Sequence, residues 1–286
     1  MTDNKGVIQP VLKQTDFVAG KGSPIIFDKL NDSGDWTAYL PTAEAQYIKF
    51  ETYSCTVFSA LNSVETQFNF LVSNDLIPQI TLKQLKDLGF FDENGKFNCS
   101  DWFTARMAGT TKEGTRVDAV WDSIRNDGLL PEKMLSLKDC KTQEEYFSKV
   151  ITPEMKAIAR KIKEIFEFKY EWVVTGNCGS PYLNYLKEQI KQAPLHVAHP
   201  LCNRDSNGVL TPCGVCVTQH CTLIYNINEL HIENFDHYSP FKNKYKRDYP
   251  FPWVMKGIVL LTDKQKKMTL IEKLIEAYYK LISLLK

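Results

Sequence analysis

Thiol-based acyl transfer needs a nucleophilic sulfur, a base within hydrogen-bond reach of it, and a third group that orients the base. The sequence offers all three, far apart along the chain. Cys55 follows Ser54 at the head of a stripe of Val57, Leu61, Val64, Phe68 and Leu71, spaced four and three apart, which predicts a helix with one buried face and Ser54 as its N-cap. In the first turn of such a helix, unpaired backbone N–H groups and the helix dipole favour thiolate over thiol. A small buried hydrophobe is the commoner fate of a cysteine, so position alone does not decide. His220 lies in VTQHCTLIYNI, a predicted strand, and a turn and a second strand, ELHIENF, lead on to Asn234, Asp236 and Tyr238 at period two. An antiparallel hairpin brings these back toward His220, where Asp236, or Asn234 as alternative, would fix the imidazole tautomer.

The densest cysteine group lies elsewhere: Cys202, Cys213, Cys216 and Cys221, with His199 nearby. Four thiols are enough for a tetrahedral zinc site. Against it, CGVC is a single Cys-x-x-Cys without a second pair, and Cys221, adjacent to His220 on a strand, should point to the opposite face. A redox role for Cys213 and Cys216 lacks the expected strand-then-helix setting. The reading is therefore free thiols, no metal and no cofactor. His196, His199 and His231 read as structural.

The remaining elements must position these groups. Helical patterns run at about Val117 to Asn126, Pro153 to Phe168 and Pro181 to Gln192, the last two with Pro just inside the start. Residues 1 to 50, with GVIQPVL and SPIIF broken by Gly, Pro and Asp, suit extended segments. After Pro194 come strand patterns, PLHVAH, VTQHCTLIYNI, ELHIENF and MKGIVLLT. Helices first and strands later predict an α+β fold. With 286 residues, 43% hydrophobic and 24% charged, the composition excludes collagen-like, low-complexity and mainly coiled-coil chains. A net charge of +1 gives no overall attraction to nucleic acid, although residues 242 to 286 carry eleven basic against four acidic groups. No signal peptide or membrane span is visible, which predicts a reducing cytoplasm.

The segments YSCTVFSALNSVE and HCTLIYNINELHIENFDHYSP, with VWDSIRNDGLLPE and APLHVAHP between them, resemble the papain-like cysteine peptidases in consistent order over about residues 40 to 260. The nearest resemblance is to divergent phage-type and bacterial forms. It implies a two-lobed fold, a helical lobe and an antiparallel β lobe, with the site in the cleft. It also implies Cys55 as nucleophile, His220 as general base and acid, Asp236 as orienter, Tyr238 as the aromatic covering that pair, and Gln46 as an oxyanion donor. The intervals from Cys55 to His220 and Asp236 are 165 and 181 residues, somewhat above the roughly 130 to 150 usual for the family. Gln46 stands nine residues before Cys55, farther than in the common pattern, and Tyr53-Ser54 replaces the usual glycine before the nucleophile. No Gly-Gly pair stands near Asn98, Cys99 and Ser100, and no segment resembling the family's inhibitory leader precedes Cys55.

The expected activity is hydrolysis of peptide or amide bonds in a peptide or protein substrate. The alternatives are a cell-wall peptide amidase, or a catalytically silent papain-fold binding or virion-assembly protein. Residues 1–261 would form the peptidase domain and 262–286 an amphipathic helix. In that helix Ile271, Leu274, Tyr278, Leu281 and Leu285 form an apolar face, and Thr269 with Glu272 a capping box. The helix would pack on the body or pair with another copy or a partner protein; membrane-surface contact is the weaker reading. PFKNKYKRDYPFPWVMK reads as a solvated loop anchored by its aromatics rather than a nucleic-acid contact.

Overall fold

The computed structural model describes residues 6–14, 16–19, 21, 30–176, 182–214 and 216–284. The first part of the chain is helical, with α1 (Cys55–Ser73), α2 (Gln79–Leu88), α3 (Asp101–Met107), α4 (Val117–Asp127), α5 (Gln143–Ser148) and α6 (Pro153–Lys161). Then come β1 (Phe166–Thr175), α7 (Leu183–Gln189), β2 (Leu195–His199), β3 (His220–Ile227), β4 (Ile232–Phe235), β5 (Lys242–Tyr245), β6 (Trp253–Leu261) and α8 (Asp263–Leu284). The strands form one antiparallel sheet in the order β1-β6-β2-β3-β4-β5. This is the expected α+β arrangement of a helical lobe against a β lobe, with a C-terminal helix.

The spine is α1. Only one face was expected to be buried, yet every residue from Cys55 to Leu71 is buried, because the helix packs against β3, β6 and β2 as well as α3 and α4. Its polar residues are therefore paired inside. Gln67 donates to the carbonyl of Gly257 at 3.0 Å and accepts from the Val259 N–H at 3.1 Å, tying α1 to β6. At Gly257 a Cβ would lie 2.0 Å from the Trp121 ring, so the α4 indole fills the space a side chain would take.

Several element boundaries differ from expectation. Ser54 makes no side-chain cap; its hydroxyl meets the Thr52 carbonyl and the Tyr146 hydroxyl instead. The helix from Pro153 stops at Lys161, and Phe166 opens β1, because FEFKYEWVVT pairs along its length with β6. Within the run read as a solvated loop, KNKY is β5, which pairs with β4. Thr269 lies inside α8, where its hydroxyl donates to the Gln265 carbonyl, and Glu272 accepts from the Gln79 N–H at 3.0 Å, so there is no capping box. Residues 23–27, Pro181 and Leu285, each part of an expected pattern, lie outside the described residues.

The start of α8 is tied to the body by Thr81, which donates to Gln265 at 2.6 Å. Beyond it Leu270, Ile271, Leu274, Ile275, Tyr278, Tyr279 and Leu281 are exposed. Among the described residues no helix is long and apolar enough to cross a membrane.

Candidate active site

Cys55 opens α1 and His220 opens β3, and because α1 lies along β3 the two meet where the lobes join. The β3–β4 hairpin closes antiparallel with Leu223 opposite Phe235. That register delivers Asp236, the next residue, to the ring of His220: Nε2 of His220 lies 2.9 Å from Oδ1 of Asp236. Nε2 being used, Nδ1 is left for the sulfur of Cys55. Nδ1 has no hydrogen-bond partner, and Cys55 and His220 lie close enough for each to shift the protonation of the other. Cys55 and His220 are 0% and 2% exposed.

Alternating charge sets the protonation of this row. Burial alone would push the Cys55 thiol up, but hydrogen bonds with Cys221 and His220 and the charge of His220 bring it down to about 6. Burial would likewise lower His220, but the charge and hydrogen bond of Asp236, together with Cys55, raise it to about 10. Asp236, which burial would raise, is held well below the usual carboxylate range, chiefly by the charge and hydrogen bond of His220. Between roughly pH 6 and 10 the favoured state is thiolate, imidazolium and carboxylate in a row.

Asp236 is held on all sides. Its Oδ1 also accepts from the backbone N–H of His237 at 2.7 Å and of Tyr238 at 3.3 Å, and its Oδ2 from Asn243 at 3.2 Å. Asn234, the rival orienter, is not brought to His220; its amide donates to the Thr222 hydroxyl at 2.6 Å. The Tyr238 ring lies 5.6 Å from the His220 ring, tilted by 55°. Gln46 is fully buried beside this group. Its backbone N–H donates to the His237 carbonyl at 3.0 Å and its side-chain amide to Glu51 at 2.5 Å.

The structure corrects the cysteine expectations. Cys202 and Cys213 form a disulfide, and Cys216 is also disulfide-bonded. These are not free thiols and cannot act as the thiolate donors of a four-cysteine zinc site. Cys221 remains a thiol but does not face away from the site: it is close enough to Cys55 for the two thiols to shift each other's protonation. His220, Asp236 and His237 form a group of donors within 4.8 Å that could in principle hold a metal. The Asp236 oxygen there already accepts three hydrogen bonds, and the His220–Asp236 bond occupies Nε2. His199 bonds Pro200 and Thr222, and the His196 Nδ1 accepts from Trp121, so both are structural.

Four residues near the site were missed. His237 is fully buried, its ring 4.9 Å from that of His220 and 5.4 Å from that of Phe58, and burial lowers its pKa to about 3, so it is neutral packing. Asn243 supports Asp236 from β5. Glu51 binds Gln46 and Tyr238 together. Tyr53 adopts φ +53°, the left-handed region that favours glycine. Asn243 has a signal in the alternation of KNKY, and Tyr53 has one in the glycine that the family usually places before the nucleophile.

The segment Gly6–Gln9 runs past the same place. Thr115 donates to the Gly6 carbonyl at 3.1 Å and accepts from Ile8 at 3.0 Å, while Thr218, two residues before His220, donates to the Gln9 side chain at 2.6 Å. A Cβ on Gly6 would lie 2.0 Å from the carbonyl oxygen of Tyr53, two residues before Cys55. The segment thus bridges the flanks of Cys55 and His220.

No family model matches the chain, and no curated protein matches it. Solved structures do. Xylellain, a cysteine protease from Xylella fastidiosa, aligns with a TM-score of 0.54 at 14% identity over 91% of this chain and 96% of that one. Digestive procathepsin L 3 of the Tenebrio molitor larval midgut aligns at 0.52 with 14% identity, over 89% and 76%. The fold is that of the papain-like cysteine proteases. Identity this low carries the architecture and leaves the chemistry to be argued from the side chains.

Proposed function

We propose that the protein is a cysteine peptidase that hydrolyses peptide or amide bonds, with Cys55 as nucleophile, His220 as general acid and base, and Asp236 as orienter. The observation that supports this reading is the buried group itself, in which His220 bonds Asp236 at 2.9 Å beside a thiol brought down to about 6. The thiolate attacks the scissile carbonyl carbon, and the developing oxyanion is held by Gln46 and a backbone N–H at the start of α1. His220 gives its proton to the leaving amine, forming a thioester on Cys55. It then takes a proton from water, which attacks the thioester and frees the acid. Acid–base action contributes roughly 10²- to 10⁴-fold and an oxyanion donor roughly 10²- to 10³-fold.

One observation favours the second reading, a papain-fold binding protein without turnover: Cys55 has no solvent exposure and Gly6–Gln9 bridges its flank to that of His220. Alkylation by iodoacetamide across pH, mapped by mass, separates the two. A peptidase labels selectively at Cys55, with a rate that falls as pH drops below about 6. Cys140, pushed up to about 11, and Cys99, higher than usual through burial, stay protonated. In His220→Ala the Cys55 inflection should move up, because the charge and hydrogen bonding that offset burial are withdrawn. Uniformly slow labelling of all thiols would favour the binding protein, as would casein digestion that survives Cys55→Ser.

A further inference from the structure

Gln46 and Cys55 are nine residues apart, and the intervening chain folds back on itself. Tyr47 and Glu51 form an antiparallel bridge, the Thr52 hydroxyl donates to the Gln46 carbonyl at 3.1 Å, and Gln143 donates to the Glu51 carbonyl at 2.7 Å. This loop aims the Glu51 carboxylate at three donors. Oε1 accepts from the Gln46 amide at 2.5 Å and from the Tyr53 N–H at 3.1 Å, and Oε2 accepts from the Tyr238 hydroxyl at 2.5 Å.

Each partner belongs to a different part of the site. Gln46 would supply the oxyanion donor, Tyr53 precedes the nucleophile in a left-handed conformation, and Tyr238 stands beside His220 in the β lobe. A carboxylate can only accept hydrogen bonds. It therefore forces the NH2 end of the Gln46 amide to its own side and fixes the amide plane, and with it the direction of the second N–H. A carbonyl turned toward Glu51 would set oxygen against oxygen.

We infer that Glu51 is a positioning residue for oxyanion stabilisation, acting through the Gln46 amide and anchoring it to Tyr53 and Tyr238 across the cleft. The inference rests on the peptidase reading above. It separates two reactions of one sulfur. Acylation by p-nitrophenyl acetate builds an oxyanion: the Cys55 sulfur bonds to the carbonyl carbon, p-nitrophenolate leaves with the bonding pair, and an acetyl thioester remains. Alkylation by iodoacetamide displaces iodide at carbon and builds none.

The test is the ratio of the two rates at Cys55 within one sample, which does not depend on the folded fraction. In Glu51→Ala the acylation rate should fall about 10- to 100-fold, the scale of a misplaced group, with alkylation unchanged. Glu51→Gln, whose carbonyl can still accept from Gln46, should recover acylation to within about threefold, the loss of roughly one neutral hydrogen bond. Because Glu51 acts through Gln46, Glu51→Ala should add nothing further in a Gln46→Ala background. Acylation that is unchanged or faster in Glu51→Ala, or equal loss of both reactions, overturns the role of Glu51. If Cys55 of the native protein is alkylated but never acylated, the peptidase reading falls and this inference with it.

Discussion

Cys55 and Cys99 are both fully buried, yet their thiols move in opposite directions, one down to about 6 and the other well above the usual range. Burial pushes both up. The difference is the sign of the neighbours. Cys55 faces His220, whose charge is held by Asp236, whereas Cys99 sits among Glu65, Asp101, Glu132 and Glu44. The same contrast holds for the carboxyls: Asp236 is held low by an imidazolium, while burial first and the charge of Glu44 second raise Glu65 and Asp101 well above the carboxylate range. Glu132 is pushed up to about 8, by burial first and Glu44 second. A buried row of alternating sign is charged at neutral pH; a buried cluster of one sign keeps its protons.

Removing the anion at the end of the row should break this contrast most severely. Asp236→Asn leaves the shape but withdraws the charge that keeps His220 protonated beside the thiolate. Acylation of Cys55 should fall on the order of 10²- to 10⁴-fold, as when a triad carboxylate becomes an amide, and the pH at which the thiol ionises should rise. Asn234→Ala, which removes one partner of the Thr222 hydroxyl and leaves its bond with His199, should cost no more than about tenfold, the range of one neutral hydrogen bond. Burst release of p-nitrophenolate reads both. A larger loss in Asn234→Ala would reverse the assignment of the orienter.

The acidic cluster should show itself in stability rather than rate. Glu132 is raised from 4.5 to about 8 on folding, so the folded state binds its proton more tightly than the unfolded chain. Its contribution is complete below about pH 4.5 and is lost as pH rises through about 8. The melting temperature should therefore decline over that window. Glu132→Gln, neutral at every pH, should flatten the decline and gain about 1 to 3 kcal/mol at pH 8, a few degrees in Tm. A melting curve that rises from pH 5 to 8 in the native protein would show the cluster to be ionised at little cost.

The elements that carry the candidate site are legible because they have strong local signals. The apolar stripe after Cys55 and the two strands around His220 and Asp236 place three residues whose sequence separation is large but whose supports are regular. What stayed hidden depends on pairing between distant segments. Residues 166–168 read as the end of a helix because their strand character is expressed only against β6. The disulfide was missed because the lack of an export signal argued for reduced thiols, which says nothing of which sulfurs meet. Glu51 has no periodicity to betray it: its role comes from a loop that doubles back. KNKY was legible in principle, since its burial alternates exposed and buried, but its lysines spoke for a solvated loop.

That strand leads to the smallest of the expected effects, which asks how far from the sulfur the row extends. Asn243, 4% exposed, donates to Asp236 and accepts from Arg204 at 2.6 Å, and Arg204 lies in the loop closed by the Cys202–Cys213 bond. Asp236 accepts from three other donors, so losing Asn243 loosens the carboxylate without releasing it. Asn243→Ala should slow acylation about 3- to 10-fold, the scale of one neutral hydrogen bond and less than a bond to a charged group gives alone, because the other donors remain. Arg204→Ala acts one bond further out from an exposed position, and its cost should stay near twofold, as for exposed ionic contacts generally. The two effects should not add, because Arg204 reaches Asp236 only through Asn243. If Arg204→Ala proved as costly as Asn243→Ala, the disulfide-closed loop would belong to the charged row and not merely to its support.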